Sequence, residues 1–522
     1  MVQDQLLAQA VAAIPQRSER QQDLHKLVGS FVDVGILPQI RNVNNQVIYG
    51  RRGTGKTHVL RVFASELSKT MGNAVLYIDA RTLGSTSQFA DPNIPLAARC
   101  VALFRDILGE VYNCLLDYIV NNAPSAANIA LDRLTDLSTV ITDPVLSYSA
   151  QSITARAANK ATEKGGFELA VGVPAAASFK ASSGLDSATE NEQTTSYSVA
   201  AEDKVIFPAL TSLLSQILQL TNSRLILLID EWSSLPLDIQ PYLAEFVKRG
   251  FLSLAAVITK IASLEYRSDF GLETAKGFIG FEMGADVSAA IDIDDYYVFD
   301  RNPSRITEAF GDMLYKHIVT ELAPQYLATN YQVSNGLQFT RRLFSDSFVF
   351  QELVRSSEGV ARDLINIFSH AYFSAHRRSK DKIDKGAVIE AARLWFEQDK
   401  MRNLDETLQG VLRRIVEEVI GNRKARSFLL PRELGNHPVI QRLFDLRILH
   451  LVQRGYADKD KPGVRYNIYT LDYGTYVDLM NTSKRPDLGF SIETEGDAND
   501  FIVPFDDKRS IRRIVLTEQI LA

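Results

Sequence analysis

The sequence predicts an α/β protein in which helices cover both faces of a parallel sheet, giving three layers, with a helical segment and a smaller C-terminal domain after it. Two observations carry this prediction. A glycine-rich loop joins an apolar run to a helical stretch over residues 47–71, and a second apolar run ends in Asp230 and Glu231. Strands that alternate with helices in this way are typical of parallel sheets.

The glycine-rich loop follows a short strand predicted at Val47–Tyr49 and leads directly into a helix. Its residues are Gly50, Arg51, Arg52, Gly53, Thr54, Gly55, Lys56 and Thr57. This is the G-x-x-x-x-G-K-[ST] pattern, whose backbone N–H groups cradle the phosphates of a nucleoside triphosphate. Lys56 would contact the β- and γ-phosphates, and the Thr57 hydroxyl would bind Mg²⁺. The loop therefore predicts a nucleotide and Mg²⁺ as ligands.

The second apolar run, Leu225–Ile229, predicts a strand that is buried on both faces of the sheet. Parallel sheets place functional groups at the carboxyl ends of their strands. Asp230 is therefore the candidate residue for Mg²⁺, which it would reach through water or through Thr57, and Glu231 is the candidate base that orients and polarises the attacking water. An acidic pair in a turn after a core strand is the alternative, and the loop upstream favours the catalytic interpretation.

Three more strands complete the predicted sheet, at Ala74–Asp79, Ser253–Ala262 and Tyr296–Phe299, with a helix at Pro236–Lys248. Regular alternation of these elements ends near residue 301, which sets the first boundary. We expect the N-terminal helices and the sheet to occupy residues 1–301, and a helical segment to follow over residues 302–403. A C-terminal domain would span residues 404–480, and a tail would span residues 481–522.

Residues 144–204 interrupt the alternation with a Ser-, Thr- and Ala-rich stretch. A loop of this length in a compact domain is usually functional or disordered. Disorder is one interpretation. The other is a hairpin around Pro174 that contacts a partner or threads a ring.

Composition agrees with a globular protein of about three domains. Of its 522 residues, 46% are hydrophobic and 23% are charged, which is ordinary for a soluble chain. Cys100 and Cys114 lack the spacing of a metal site, and no apolar run approaches the ~20 residues of a membrane span. We expect a cytoplasmic protein without a membrane partner. Because the net charge is −6, binding to nucleic acid would need local basic patches.

The helical segment contains a G-x-x-R pattern at Gly359–Arg362. Together with the loop and the acidic pair, this set resembles the AAA+ ATPases. The resemblance implies ATP as the nucleotide, ATP hydrolysis, and a helical lid whose arginine, here Arg362, reaches the γ-phosphate. It also implies a polar residue at the end of the strand after the acidic pair, matched by Ser263 or, in another register, by Thr259. As an alternative, Arg362 is a surface arginine paired with a neighbouring acid.

The C-terminal domain contains helices predicted near 408–420 and 438–446, followed by two alternating runs around a Gly- and Pro-bearing turn. This order resembles a winged helix-turn-helix. An AAA+ ATPase with such a domain is similar to the origin-recognition and replication-initiator group, over about residues 50–475. The resemblance implies duplex DNA as a partner. The candidate contacts, which could also be ordinary solvated charges, are Arg442, Arg447, Lys459 and Lys461.

These expectations describe an ATP-binding and ATP-hydrolysing switch that controls assembly on DNA. The family resemblance also implies a homo-oligomer or a partner ATPase, since a neighbouring subunit usually supplies an arginine to the site. The candidates for this arginine are Arg249, Arg267, Arg301 and Arg305. One alternative is a signalling or phage-defence type NTPase that regulates a separate effector protein. Another is a loader or a transposition-type ATPase that forms a filament on DNA.

Overall fold

The structure is a computed structural model that describes residues 1–84, 91–123, 126–142, 145–152, 178–179, 195–202, 204–423, 425–458, 462–479 and 514–521. The first part of the chain contains, in order, α1 (Gln5–Ala13), α2 (Leu24–Ser30), α3 (Leu37–Ile40), β1 (Gln46–Tyr49), α4 (Lys56–Leu67), β2 (Asn73–Asp79), α5 (Leu96–Asn122), α6 (Ala127–Thr142), β3 (Val145–Ser152), β4 (Ser178–Phe179), β5 (Thr195–Glu202), α7 (Phe207–Leu220), β6 (Arg224–Asp230), α8 (Gln240–Val247), β7 (Val257–Ser263), β8 (Gly271–Thr274), β9 (Gly277–Gly280) and β10 (Ser288–Asp292).

Five of these strands form a parallel sheet in the order β10-β1-β7-β6-β2. Strand β6 is buried on both faces because its alternate residues enter two different cores, with Ile226 and Leu228 in one and Leu225, Leu227 and Ile229 in the other. The register places the carboxyl ends of β1, β6 and β7 at one edge of the sheet. The predicted α/β fold is confirmed.

The strand predicted at Tyr296–Phe299 is wrong. The fifth strand is β10, and short 3₁₀ turns follow it at Ile293–Tyr296 and Phe299–Arg301. Asp292 ends the strand, since its carboxylate accepts a hydrogen bond from the backbone N–H of Asp294 at 3.0 Å. The apolar character of the predicted run has another cause: the ring of Tyr297 stacks on Phe310 at 5.5 Å between centroids.

Strands β8 and β9 form an antiparallel hairpin that was not among the predicted elements. Strands β3, β5 and β4 form a separate antiparallel sheet within the 144–204 insertion. The hairpin predicted around Pro174 lies outside the described residues.

The helical lid follows the sheet and consists of α9 (Pro303–Glu321), α10 (Pro324–Tyr331), α11 (Gly336–Leu343), α12 (Ser347–Ser356), α13 (Ala361–Arg377) and α14 (Lys385–Trp395). The N-terminal helices pack against the lid. Tyr372 donates a hydrogen bond to the backbone oxygen of Val2 at 2.8 Å, and Lys26 forms an ion pair with Glu321 at 2.7 Å. The first residues of the chain therefore help to hold the lid.

The C-terminal elements are α15 (Glu406–Val416), β11 (Ser427–Pro431), α16 (Pro438–Asp445), β12 (Leu449–Ala457), β13 (Arg465–Leu471) and α17 (Tyr473–Leu479). The two helices and the two strands of the predicted domain are present, and β11 joins them in an antiparallel sheet of order β11-β13-β12. Part of the tail returns to this sheet, because Leu429 donates its backbone N–H to the oxygen of Ile514 at 2.8 Å. In the described ranges no helix is long and apolar enough to cross a membrane.

Candidate nucleotide site

The glycine-rich loop connects β1 to α4 and touches the lid. Gly53 and Gly55 adopt φ values of +88° and +101°, a left-handed conformation that glycine accepts without strain. The oxygen of Gly53 accepts a hydrogen bond from the backbone N–H of Arg362 at 3.0 Å. A Cβ atom at Gly53 would lie only 2.7 Å from the Cβ of Arg362. Glycine is therefore required where the loop meets the lid.

Lys56 and Thr57 are buried at the start of α4. The Lys56 ammonium donates hydrogen bonds to the backbone oxygens of Gly50 at 2.6 Å and Arg51 at 3.1 Å. Burial lowers the pKa of Lys56, and the nearby carboxylates act in the opposite direction. A bound phosphate group would replace these carbonyl oxygens as the hydrogen-bond acceptor of Lys56. Its full negative charge would favour the protonated lysine.

Asp230 is fully buried at the carboxyl end of β6. One carboxylate oxygen accepts from the Tyr77 hydroxyl at 2.8 Å, and the other accepts from the backbone N–H of Glu231 at 2.8 Å. These bonds fix the carboxylate at the edge of the sheet where Thr57 begins the neighbouring helix. A hydroxyl and a carboxylate are the hard oxygen donors that Mg²⁺ prefers, so the pair fits this ion.

Glu231 follows Asp230 with a φ of +55° and a ψ of 35°. This left-handed conformation is uncommon for a residue with a side chain, and it is often found at functional sites. Glu231 lines a cavity of about 570 Å³, together with Lys56 and Thr57. The strained turn therefore places a carboxylate in the same cavity as the end of the loop.

Arg362 lines this cavity from the lid side. Its Nε atom is buried and has no hydrogen-bond partner among the residues that the structure describes. Burial lowers the pKa of Arg362, and the positive charges of Arg447 and Arg17 lower it further. A buried guanidinium with an unused donor, among other cations, fits an anionic ligand such as a phosphate.

Residues 16–75 match the family model described as ORC-CDC6-like. The chain resembles an origin-recognition-like AAA+ ATPase. Solved structures to which the chain is similar include Cdc6p from Pyrobaculum aerophilum, at 12% identity and a TM-score of 0.32 over 88% of this chain and 92% of that one. Another is the Aeropyrum pernix ORC1 protein in complex with DNA, at 15% identity and a TM-score of 0.30 over 89% and 93% of the two chains.

The Thermotoga maritima RuvB Holliday junction branch migration motor is also similar, at 11% identity and a TM-score of 0.32 over 91% of this chain and 98% of that one. No curated protein matches the chain.

The side chain of Arg51 does not line the cavity. Its Nε donates to the carboxylate of Asp294 at 3.0 Å, and its other nitrogens contact His450 and the backbone oxygen of Glu358. Three other parts of the chain therefore use the donors of the Arg51 side chain, and nucleotide binding by Arg51 as a residue of the glycine-rich loop stays a prediction. The side chain of Arg52, by contrast, lines the cavity.

Ser263 ends β7 beside Tyr49 of β1, at the expected edge of the sheet. However, its buried hydroxyl contacts the hydroxyl of Ser268 and does not line the cavity. The alternative register is wrong, because Thr259 pairs with Leu227 in the middle of the sheet. A role for Ser263 would require this serine pair to separate.

The prediction that Arg447 contacts DNA is wrong in this conformation. Only 6% of the residue is exposed, and its guanidinium forms ion pairs with Asp363 at 2.8 Å and with Asp399. Arg447 has a φ of +61° just after α16, so the chain turns there and directs the side chain toward the lid. Arg442 is exposed and lines the nucleotide cavity. Lys459 and Lys461 lie outside the described residues.

The four arginines considered for a neighbouring subunit have partners within their own chain. Arg267 is the one that lines the cavity, and it forms an ion pair with Asp445 at 2.5 Å. Arg249 forms an ion pair with Glu245, and Arg301 forms one with Asp295. Arg305 donates a hydrogen bond to the backbone oxygen of Val34. No short motif could have indicated that Arg267 faces the cavity of its own chain, since its position depends on the ion pair with Asp445 of α16.

Proposed function

We propose that this chain is an AAA+ ATPase that binds and hydrolyses ATP and uses the nucleotide state to control its assembly on duplex DNA. One observation carries the ATPase part of the proposal. Lys56, Thr57, Glu231 and Arg362 line a single cavity although they are separated by up to about three hundred residues of sequence. Asp230, buried at the end of β6, directly precedes Glu231.

Each residue has a distinct task in phosphoryl transfer, which depends on positioning and on charge. Lys56 holds the β- and γ-phosphates, and the loop N–H groups bind their oxygens. Glu231 orients a water molecule and accepts its proton. Arg362 binds the γ-phosphate from the lid. Mg²⁺, held by Thr57 and through water by Asp230, would neutralise charge on the phosphates.

The DNA part of the proposal rests on the C-terminal elements and on the resemblance to origin-recognition-like proteins. The sequence between β12 and β13 contains Lys459 and Lys461, where a wing would contact phosphates. Helix α16 faces the nucleotide cavity in this conformation. That placement favours a second candidate, a switch that regulates a protein effector, since α16 would need to move before it could enter a DNA groove.

Duplex DNA should raise ATP turnover by the purified chain if the first candidate is correct. Steady-state phosphate release, measured with and without duplex at low salt, provides the test. A double variant with Lys459 and Lys461 changed to Ala should need more duplex for the same stimulation. Its binding should also depend less on salt, with a slope reduced by about two units for two lost phosphate contacts.

The control for this experiment changes Lys276 to Ala, which lies in the turn of the β8–β9 hairpin and is exposed. An ATPase that duplex DNA neither stimulates nor binds would exclude the first candidate. Stimulation by a protein ligand alone would then support the effector switch.

A further inference from the structure

The end of α16 forms one wall of the nucleotide cavity. Arg442, Asp445, Leu446 and Arg447 line the cavity together with residues of the glycine-rich loop. We refer to residues 404–479 as the C-terminal module. The module reaches the nucleotide site of its own chain, so the site is built from the sheet, the lid and this module together.

Ion pairs hold the module in this position. We refer to residues 1–301, which contain the parallel sheet, as the base. Arg267 of the base binds Asp445 at the end of α16 at 2.5 Å, and this carboxylate is mostly buried. On the lid side, Arg447 binds Asp363 at 2.8 Å. Because salt bridges of this kind are directional when buried, they fix the position of α16 over the loop.

A third contact lies farther along the module, where Arg454 binds Glu265 at 2.6 Å and Asp292 at 3.0 Å. Arg301 adds a hydrogen bond to the backbone oxygen of Val452 at 3.1 Å. The base therefore contacts both α16 and β12. These contacts leave the side chain of Arg442 as an exposed cation of α16 that forms no ion pair within the described part of the chain.

Arg442 belongs to a group of cations at the Glu231 side of the cavity. Arg52, Arg267 and Arg442 lie close enough for burial and the two other positive charges to lower the pKa of Arg52. The carboxylates of Glu231 and Asp445 act in the opposite direction but do not balance three cations. Excess positive charge beside the water-activating carboxylate is the environment that a terminal phosphate requires.

We propose that Arg442 binds the terminal phosphate of ATP within the same chain, and that ATP thereby holds the C-terminal module against the base more firmly than ADP does. The inference rests on the proposed ATPase function. It adds how the position of the C-terminal module would depend on whether ATP or ADP is bound. It gives Arg442 a role in distinguishing ATP from ADP. The arginine that completes the site would then come from the same chain, and not from a neighbouring subunit.

Nucleotide affinities of the full-length Arg442→Ala variant test this inference. We expect its affinity for a non-hydrolysable ATP analogue to fall by about tenfold or more. A tenfold loss corresponds to the lower end of the energy that a hydrogen bond between charged groups contributes. Its affinity for ADP should stay within about twofold of wild type, because ADP lacks the phosphate concerned. Arg442→Lys should restore part of the difference. Arg413→Ala, an exposed arginine on α15 of the same module, is the matched control.

Hydrogen exchange of backbone amides over residues 438–447 gives a second readout. In the wild type, the ATP analogue should protect these amides more than ADP does, and in Arg442→Ala the two nucleotides should protect them equally. If the wild type binds neither nucleotide, the ATPase proposal fails. If the wild type binds both, and Arg442→Ala loses affinity for both equally or for neither, the ATPase proposal stands and the role of Arg442 is overturned.

Discussion

Changing Glu231 to Gln should lower ATP turnover by a factor of about 100 or more while ATP binding is retained, in line with the usual contribution of a general base. Gln has the same shape as Glu, and so it preserves the packing of the turn after β6. Its amide cannot accept a proton from the attacking water. Single-turnover phosphate release, together with titration of an ATP analogue, separates the loss of chemistry from a loss of binding.

Glu273→Gln is the matched control, since Glu273 is exposed on β8, away from the cavity. This variant should hydrolyse ATP at the wild-type rate. If Glu231→Gln keeps turnover within a few-fold of wild type, Glu231 is not the residue that activates the water.

The largest loss of stability is expected for Asp363→Ala. Asp363 is fully buried at the start of α13, and its carboxylate binds Arg447 at 2.8 Å and Lys400 at 3.0 Å. Removing it leaves two buried cations with less compensation, which costs about 3–5 kcal/mol for typical buried pairs. Denaturant unfolding should report this decrease in the free energy of unfolding. Asp381→Ala, in an exposed turn of the lid, is the control.

The effect of Asp363 should depend on pH in a defined direction. Burial alone would raise the pKa of this carboxyl, but the charges of Arg447 and Lys400 hold it below its ordinary value. Its stabilising contribution is therefore complete above about pH 4, the unfolded pKa, and is lost as the pH falls through the folded pKa. Wild type and variant should differ most near neutral pH. A difference below about 1 kcal/mol there would mean that the ion pairs add little.

The parts of the fold that the sequence predicts are those with local causes. The loop is recognisable because glycines, Lys56 and Thr57 must follow one another in a fixed order around a phosphate. Strand β6 is recognisable because both of its faces enter apolar cores. The pattern Gly359–Arg362 is similarly local. These elements lead directly to the cavity, which Lys56, Thr57, Glu231 and Arg362 line.

The parts that could not be predicted depend on contacts between distant segments. Arg51 belongs to the loop by sequence, but its side chain is used by His450, about four hundred residues away. Arg447 looks like a surface residue of a DNA-binding helix, and it is buried against Asp363 of the lid. Neither side-chain contact can be predicted from the neighbouring residues, because each depends on how the C-terminal module packs on the base and the lid.

Titration of the full-length chain with a non-hydrolysable ATP analogue and Mg²⁺, for wild type and Lys56→Ala, tests the central claim most directly. We predict one nucleotide bound per wild-type chain. In the variant, the phosphates lose a charge-assisted hydrogen bond, and the affinity should fall by at least about tenfold. Lys69→Ala, an exposed lysine just after α4, should bind as the wild type does. Near-wild-type affinity in Lys56→Ala, or no binding by the wild type, would contradict the assignment of the glycine-rich loop as an ATP site.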